Sequence, residues 1–327
     1  MQKTYRWGII GLGKIAHKFA ESIALTPNAQ LVAVASRSLE KAQDFALQYG
    51  VSQAFGSYEE ILEAQNLDVI YIATPHSEHF ANTMMCLEAG VPTLCEKAFA
   101  YNAKQVKTMQ DKAIEKNTFL MEALWTLFFP AIVKAKEIVN SGVLGNIVHI
   151  AADFGFLANY DPTARLFNPA LAGGSLLDIG LYPLYFSKHL LGQPTNIKAV
   201  ATFTPSGVDM SCAMSATFEN NATASLYSTF GATTNCIASI YGTKGKLQVN
   251  GRFHESDGLT LDIEGQDTEH IPCEKIGTGY YYEILHVQEC LAKNLQQSPL
   301  ASHQFSLELM QLLDEIRNQI GLKYPEE

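Results

Sequence analysis

The feature that most constrains the fold is a glycine pattern near the start of the chain. Gly11, Gly13 and Ala16 fit G-x-G-x-x-[G/A] and stand between a strand-like segment, Tyr5–Ile10, and a helical one. In this pattern the first glycine makes a tight turn, and the second lets a pyrophosphate approach the helix N-terminus. The alternative is a glycine-rich turn without a ligand. The predicted phosphate-binding residues are Gly11, Gly13, Lys14 and Ile15.

Short apolar strands alternate with amphipathic helical stretches over roughly the first 120 residues. Buried strands joined by helical crossovers build a parallel, doubly wound sheet. The sequence therefore predicts an α/β Rossmann domain over residues 1–122, which would bind the dinucleotide. Its predicted strands are Tyr5–Ile10, Gln30–Ser36, Asp68–Ala73, Pro92–Cys95 and Thr118–Met121.

After about residue 145 the pattern changes to strands joined mostly by short turns, which is typical of an antiparallel sheet. We therefore predict an α+β domain over residues 123–327, with a large, open, mostly antiparallel sheet, for substrate binding and dimerisation. Its predicted strands are Asn146–Phe156, Thr195–Phe203, Ser211–Phe218, Ala222–Phe230, Asn235–Tyr241 and Lys246–Val249. Its predicted helices are Leu176–Leu191, Tyr281–Gln297 and Gln304–Ile320.

Composition excludes several function classes. With 23 basic and 33 acidic residues, the formal net charge is −10, which argues against a nucleic-acid partner and against an anionic membrane surface. No apolar run is long enough to span a membrane, and the N-terminus lacks the features of a secretory signal. The 6 cysteines include no C-x-x-C pair, which indicates reduced thiols. These features predict a cytoplasmic protein.

The end of the second predicted strand indicates which dinucleotide is bound. An NAD site usually places an acid there for the ribose 2′-hydroxyl, but this chain reads Ser36-Arg37-Ser38. Arg37 can pair with a 2′-phosphate, and the two serines can donate hydrogen bonds. NADP is therefore predicted in preference to NAD. In the alternative interpretation Ser38 only caps a helix and Arg37 is a solvated surface residue, although capping and phosphate binding are compatible.

Lys97 follows the predicted strand Pro92–Cys95. Ligands of doubly wound sheets bind outside the carboxyl ends of the strands, so Lys97 is predicted to face the nicotinamide. A lysine with a lowered pKa can take the hydroxyl proton during hydride transfer, or it can lower the pKa of a neighbouring tyrosine. The alternative is a surface ion pair with Glu96.

A second group follows Gly173-Gly174-Ser175. Asp178 and Tyr182 are four residues apart, so on a helix they would share one face and could hold a sugar hydroxyl. The alternative is a helix N-terminal acid and a core tyrosine. Pro183 removes a backbone donor, so the helix is expected to be irregular there.

The sequence does not predict a metal site. His76 and His79 have a spacing that can hold a metal, but no third ligand is near in sequence, and a nicotinamide would carry the chemistry. Asp209, Asp257 and Asp262 are interpreted as loop and turn acids.

Three motifs in this order resemble the Gfo/Idh/MocA family of oxidoreductases: Gly8–Ala16, Glu96-Lys97, and Gly-Gly-x-Leu-x-Asp-x-Gly-x-Tyr at 173–182. Segments 121–130 and 165–183 are similar to the branch of dimeric dihydrodiol dehydrogenases and NADP-dependent D-xylose dehydrogenases. The resemblance covers nearly the whole chain. It implies a Rossmann domain followed by an open-faced sheet domain, which often dimerises through that sheet.

The resemblance also implies roles for single residues. Lys97, Tyr182 and Asp178 match catalytic positions, and Trp125 and Phe154 match the aromatic wall of the substrate pocket, which Asp178 and Tyr182 also line. Two residues depart from the family pattern: Ala98 replaces a proline, and Leu127 replaces an arginine, which leaves the exact substrate open. The residues matched to the nicotinamide half of the cofactor are Thr74, Pro75, His79, Glu96 and Lys97.

We therefore expect an NADP-dependent enzyme that transfers a hydride between nicotinamide and the CH–OH group of an aldopyranose, polyol or trans-dihydrodiol. A homodimer or higher homo-oligomer through the C-terminal sheet is expected. Two alternatives stay open on the same fold, a non-catalytic sensor of NADP and a sugar, and a glycosidase with tightly held NAD. The intact set Lys97, Asp178 and Tyr182 counts against the sensor, and Ser36-Arg37 counts against the glycosidase.

Overall fold

The computed structural model describes residues 3–325. Their contacts define two compact units. The first unit runs to Trp125 and also takes in Ile276–Leu307. The second consists of Thr126–Lys275 and the chain from Glu308 onward.

The return of the chain to the first unit differs from the predicted division after residue 122. That division gives Ile276–Leu307 to the second domain, whereas these residues pack in the first unit. Tyr280 contacts Phe19 edge-on, with ring centroids 6.0 Å apart, and the N–H of Leu120 donates to the carbonyl of Gln296. These are contacts between distant parts of the sequence, which local patterns do not reveal.

The first unit contains a parallel six-stranded sheet. Its strands are β1 (Tyr5–Ile10), β2 (Ala29–Ala35), β3 (Gln53–Phe55), β4 (Val69–Ile72), β5 (Thr93–Glu96) and β6 (Leu120–Ala123). Their order is β3-β2-β1-β4-β5-β6, with every neighbouring pair parallel. This is the strand order of a dinucleotide-binding Rossmann fold, so the predicted α/β class is confirmed.

The second unit contains an eight-stranded sheet. Its strands are β7 (Ile147–Gly155), β8 (Asn196–Phe203), β9 (Asp209–Thr217), β10 (Thr223–Thr229), β11 (Ala238–Gly242), β12 (Gly245–Val249), β13 (Gly258–Ile263) and β14 (Glu269–Pro272). The order is β14-β13-β12-β11-β7-β10-β9-β8. Strands β7 and β10 run parallel and the other neighbours antiparallel, which confirms the predicted, mostly antiparallel sheet.

The α-helices of the described chain are α1 (Lys14–Leu25), α2 (Leu39–Tyr49), α3 (His76–Glu88), α4 (Ala103–Glu115), α5 (Pro130–Asn140), α6 (Leu181–Leu191), α7 (Tyr281–Ala292) and α8 (His303–Ile320). In the first unit, helix α7 packs on α1. In the second, α6 packs on β7 and β10, and α5 on β12 and β13, so one face of that sheet is covered.

Both cores follow from these layers. In the first unit Trp7, Phe19 and Tyr71 are fully buried. The strands of a parallel sheet are mainly apolar because helices cover both of its faces. In the second unit buried and exposed residues alternate along β9 and β10, as expected for a sheet covered on one face.

Two further expectations concern the compartment. Within residues 3–325 no helix is both long and apolar enough to cross a bilayer. The 6 cysteines are free, and all but Cys273 are buried. A cytoplasmic location stays a prediction.

Candidate active site

The predicted phosphate-binding turn lies between β1 and α1. Gly11 has φ +87°, and a Cβ there would lie 2.8 Å from the backbone nitrogen of Thr74, so this position requires glycine. Gly13 precedes the first residue of α1, and a Cβ on it would meet nothing within 4 Å. This open space at a helix N-terminus fits a pyrophosphate. Lys14 is exposed beside it, and Ile15 is half-buried.

The end of β2 carries the three residues predicted to select NADP. The Ser38 hydroxyl accepts the N–H of Lys41 and caps α2, yet its own O–H can still donate to a phosphate. The buried Ser36 hydroxyl accepts the N–H of Ser38 at 3.4 Å. Arg37 is exposed, and its guanidinium faces the Tyr58 hydroxyl. Burial raises the pKa of Tyr58, and the charge of Arg37 opposes that rise.

Lys97 is half-buried and follows β5 directly, at the carboxyl end of the parallel sheet. Its backbone N–H donates to Oε2 of Glu96 at 3.2 Å. The other carboxylate oxygen of Glu96 accepts a short hydrogen bond from the Tyr71 hydroxyl. The peptide bond between Lys97 and Ala98 is cis. Glu96 is 6% exposed and binds the backbone of Lys97, so it is a buried acid and not the surface residue of the alternative interpretation.

His79 joins two loops at this end of the sheet. The ring is fully buried, with Nδ1 2.8 Å from the carbonyl oxygen of Ala98 and Nε2 2.9 Å from that of Thr74. A carbonyl oxygen only accepts, so both bonds form together only when both ring nitrogens carry protons. When both bonds are formed, neither ring nitrogen offers a lone pair to a metal.

Two smaller findings concern the same loop. The sequence places Thr74 at the helix N-cap and Pro75 at the first helical position, but α3 begins one residue later, at His76, with Pro75 as its cap. The Thr74 hydroxyl accepts instead from the Asn82 amide at 3.2 Å.

Within residues 3–325 no group of three or more histidines, cysteines or acids could hold a metal.

Two further acids, Glu122 and Glu283, are buried in the first unit. Glu122 on β6 is 2% exposed, and its Oε1 accepts the N–H of Phe99 at 3.1 Å. Burial raises the pKa of Glu122 to about 7. Glu283 on α7 is fully buried, neither carboxylate oxygen has a hydrogen-bond partner, and burial followed by repulsion from Glu96 raises its pKa well above the usual range.

Trp125 ends the first unit and is 6% exposed. Its ring stacks on Tyr280, with centroids 4.7 Å apart and planes within 2°. One face of the predicted substrate-wall residue is therefore covered. Sequence reasoning missed Tyr280, because it lies 155 residues further along the chain.

Asp178 lies in an unusual helical turn of the second unit. Residues Leu176–Gly180 form a π-helical turn, in which the N–H of Leu181 bonds to the carbonyl of Leu176, and α6 continues from there. The predicted helix is thus present but starts with a wider turn, just before Pro183, whose missing N–H disrupts the regular ladder. Asp178 is 7% exposed, and its Oδ1 pairs with Nη1 of Arg165 at 3.0 Å.

Tyr182 belongs to a buried ring cluster that we call the aromatic cluster: Phe154, Tyr182 and His254. Phe154 at the end of β7 contacts Tyr182 edge-on at 5.3 Å and stacks on His254 at 4.1 Å. Tyr182 and His254 are 5.4 Å apart. The structure therefore brings Phe154 and Tyr182 into contact, and their role as substrate-binding residues stays a prediction. It adds His254, for which the sequence offers no periodic signal.

Asp209 supports the turn that precedes Asp178. It starts β9 and is fully buried, so its interpretation as a loop acid is wrong. Its Oδ2 accepts the Ser175 hydroxyl and the N–H of Leu176, each at 2.7 Å. Burial raises its pKa to about 7. Gly174 has φ +115°, and a Cβ there would overlap Oδ1 of Asp209, which explains the glycine pair in the motif.

Comparisons with known proteins agree with this geometry. The model of the Gfo/Idh/MocA oxidoreductase family, NAD-binding Rossmann fold, matches residues 5–124, and the Gfo/Idh/MocA C-terminal domain matches residues 132–248. The chain is 35% identical to a trans-1,2-dihydrobenzene-1,2-diol dehydrogenase of Mus musculus, over 98% of both chains.

Two solved structures are similar in fold. A levoglucosan dehydrogenase in complex with NADH and L-sorbose has a TM-score of 0.89 at 22% identity, covering 98% of this chain and 97% of that one. A 3-ketoreductase from Actinomadura kijaniata, in complex with NADP and TDP-benzene, has a TM-score of 0.87 at 23% identity, covering 97% and 98%.

Proposed function

We propose, on the premise that the chain belongs to the Gfo/Idh/MocA family of oxidoreductases, that it is an NADP-dependent dehydrogenase of a CH–OH group. The substrate class is an aldopyranose, a polyol or a trans-dihydrodiol. One observation carries the proposal: Lys97 stands at the carboxyl end of β5, in a sheet with dinucleotide-binding strand order. The relative named trans-1,2-dihydrobenzene-1,2-diol dehydrogenase supports the diol as one member of this class.

The residues of the first unit fit a nicotinamide dinucleotide. The open space at Gly13 would admit the pyrophosphate, and Arg37, with Ser36 and Ser38, would hold a 2′-phosphate. The buried His79, with Thr74 and Pro75, would border the nicotinamide half. The bound nicotinamide supplies the hydride acceptor.

This chain's own residues would then manage the proton and the substrate. When the hydride leaves the carbon, the hydroxyl proton would go to Tyr182 or Lys97. Asp178, oriented by Arg165, would accept a hydrogen bond from a second substrate hydroxyl. The aromatic cluster and Trp125 would provide apolar walls suited to a sugar face or a diol ring.

We further propose that the open face of the eight-stranded sheet forms a homodimer interface. Paired residues on neighbouring strands point to the same face, and Val200, Ala213 and Tyr227 are paired across β8, β9 and β10. Val200 is 71% exposed and Tyr227 is 37% exposed. Tyr241 adds a further exposed ring on β11. An exposed apolar patch of this kind is typical of a protein interface.

Turnover with a panel of substrates tests the proposal. NADPH formation would be followed by absorbance with NADP and D-xylose, D-glucose, inositol or a trans-dihydrodiol. We expect turnover by the wild type and a loss of about 100-fold or more in Lys97→Ala and Tyr182→Phe, with Lys104→Ala as an exposed-lysine control. Binding of NADPH without turnover of any substrate would contradict the proposal and favour a sensor.

A further inference from the structure

Three consecutive residues after β5 are each held through their backbone by an ionisable side chain. The N–H of Lys97 donates to Glu96, the carbonyl of Ala98 accepts from His79, and the N–H of Phe99 donates to Glu122. We call residues 97–99 the lysine segment. Three separate elements, β5, α3 and β6, thus supply one contact each.

Glu122 contributes to this arrangement from the strand next to β5. Glu122 pairs in register with Cys95, two residues before Lys97. Its carboxyl contacts the lysine segment at the N–H of Phe99. It is 2% exposed, whereas most surface acids that bind a backbone amide are solvated. A buried carboxyl on a strand of the sheet fixes its acceptor oxygen more firmly than a loop acid could.

We propose that Glu122 is a positioning residue for Lys97, which fixes the Phe99 end of the lysine segment and places a titratable charge beside the lysine amine. This inference rests on the proposed function, because it assumes that Lys97 handles the substrate proton. Glu122 itself touches neither substrate nor cofactor in this account.

The groups around Glu122 determine how its charge acts. Glu96 repels its carboxylate, Lys97 attracts it, and the neutral Ser306 and the N–H of Phe99 stabilise the charged form. The imidazole of His303 bonds to the carbonyl oxygen of Leu120, which lies on β6 like Glu122. Burial lowers the pKa of His303. His79 faces the lysine segment from α3. Since the attraction between Glu122 and Lys97 is mutual, an ionised Glu122 makes the lysine hold its proton more tightly.

Two substitutions separate the hydrogen bond from the charge. Glu122→Gln keeps an acceptor oxygen for Phe99 but removes the charge. Glu122→Ala removes both. Glu283→Gln is the matched control, because it replaces another fully buried carboxyl of the same unit, and neither oxygen of that carboxyl has a hydrogen-bond partner.

The first readout is steady-state kinetics across pH. For Glu122→Gln we expect KM within about twofold of wild type, and the acidic limb of kcat/KM displaced to lower pH by about half a unit or more. For Glu122→Ala we expect kcat to fall about tenfold or more at an unchanged Kd for NADPH. Profiles of both variants that match Glu283→Gln would overturn the proposal.

The second readout does not need activity. Lys97 would be labelled with a trace of acetic anhydride over a pH series, and its modified peptide quantified by mass spectrometry. We expect the pH of half-maximal labelling to be lower in Glu122→Gln than in wild type and Glu283→Gln. Equal values in the three proteins would overturn the inference. If wild type is inactive on every substrate, the proposed function fails while this labelling still decides the role of Glu122. If Glu122→Ala does not fold, Glu122→Gln decides.

Discussion

The guanidinium of Arg165 lies 3.0 Å from Oδ1 of Asp178, and the aspartate side chain is 10% exposed against 43% for the arginine. The buried carboxylate of Asp178 is thus paired with the more exposed guanidinium of Arg165. The second carboxylate oxygen of Asp178 is the one we assign to a substrate hydroxyl. The arginine therefore orients the acid through a charge-assisted hydrogen bond.

Removing the acid should lower activity more than removing its partner. Asp178→Asn is expected to lower kcat/KM by about 100-fold, because the charged acceptor is lost. Arg165→Ala should lower it by about tenfold, with most of the activity restored in Arg165→Lys. Asp161→Asn, an exposed acid bonded to Thr163, is the control and should stay near wild type. Equal effects of Asp178→Asn and Asp161→Asn would contradict the assignment.

Cofactor choice should depend on Arg37. Loss of its pairing with a 2′-phosphate in Arg37→Ala should raise the Kd of NADPH by about 10-fold or more and leave that of NADH within about twofold. Fluorescence titration of the reduced cofactors measures both values. Lys104→Ala removes an equal charge from an exposed site on α4 and should change neither. Tighter binding of NADH than of NADPH by the wild type would show that the Ser36-Arg37-Ser38 prediction is wrong.

Two buried carboxyls should make the protein less stable as the pH rises towards neutrality. Burial raises the pKa of Glu122 and of Asp209 to about 7 each, so the folded state binds protons that the unfolded state has released. The stability that these two carboxyls contribute is fully present below about pH 4, where they are protonated in both states. It is lost as the pH rises through about 7, the pKa of each in the folded state. The raised pKa corresponds to roughly 3 kcal/mol for Glu122 and roughly 4 kcal/mol for Asp209 across that range.

Urea denaturation at several pH values between 5 and 8 measures this effect, because both raised pKa values are about 7 and lie within that range. The free energy of unfolding should fall with rising pH in the wild type and fall less steeply in Glu122→Gln and in Asp209→Asn. Asp257→Asn, at an exposed site, should keep the wild-type slope. A slope that neither buried substitution alters would show that these carboxyls are not the titrating groups.

The open sheet face should control the oligomeric state. Tyr227→Lys places a charge in the centre of the apolar patch, and burying it unpaired at an interface is unfavourable. Sedimentation velocity should show a dimer for the wild type and a monomer for this variant. Leu47→Lys, at a residue of α2 that is 86% exposed, should remain dimeric. A monomeric wild type would contradict the proposed interface.

Most strands in the first half of the chain can be predicted from the sequence, because the signals for them are local. Strands β1, β2, β4 and β5 are mainly apolar, and the glycine pattern lies between β1 and α1. The three-residue strand β3 is half-buried throughout and too short to give a pattern. The interpretation of Asp262 as a loop or turn acid is wrong, because this residue lies within β13.

The site residues that sequence reasoning missed depend on contacts between distant segments. His254 joins Phe154 and Tyr182 only through the folded second unit, and Tyr280 joins Trp125 only through the return of the chain. Asp209 looks like other turn acids until the sheet buries it. By contrast, Lys97, Asp178 and Tyr182 stood in motifs, and their catalytic roles stay predictions.

The fate of one hydrogen atom tests the central claim most directly. The wild type would be incubated with NADP and its best substrate carrying deuterium on the CH–OH carbon, and the NADPH would be examined by proton NMR. Direct hydride transfer predicts one deuterium at C4 of the nicotinamide, on a single face, for every substrate oxidised. NADPH without deuterium, or substrate consumed without NADPH, would contradict the account.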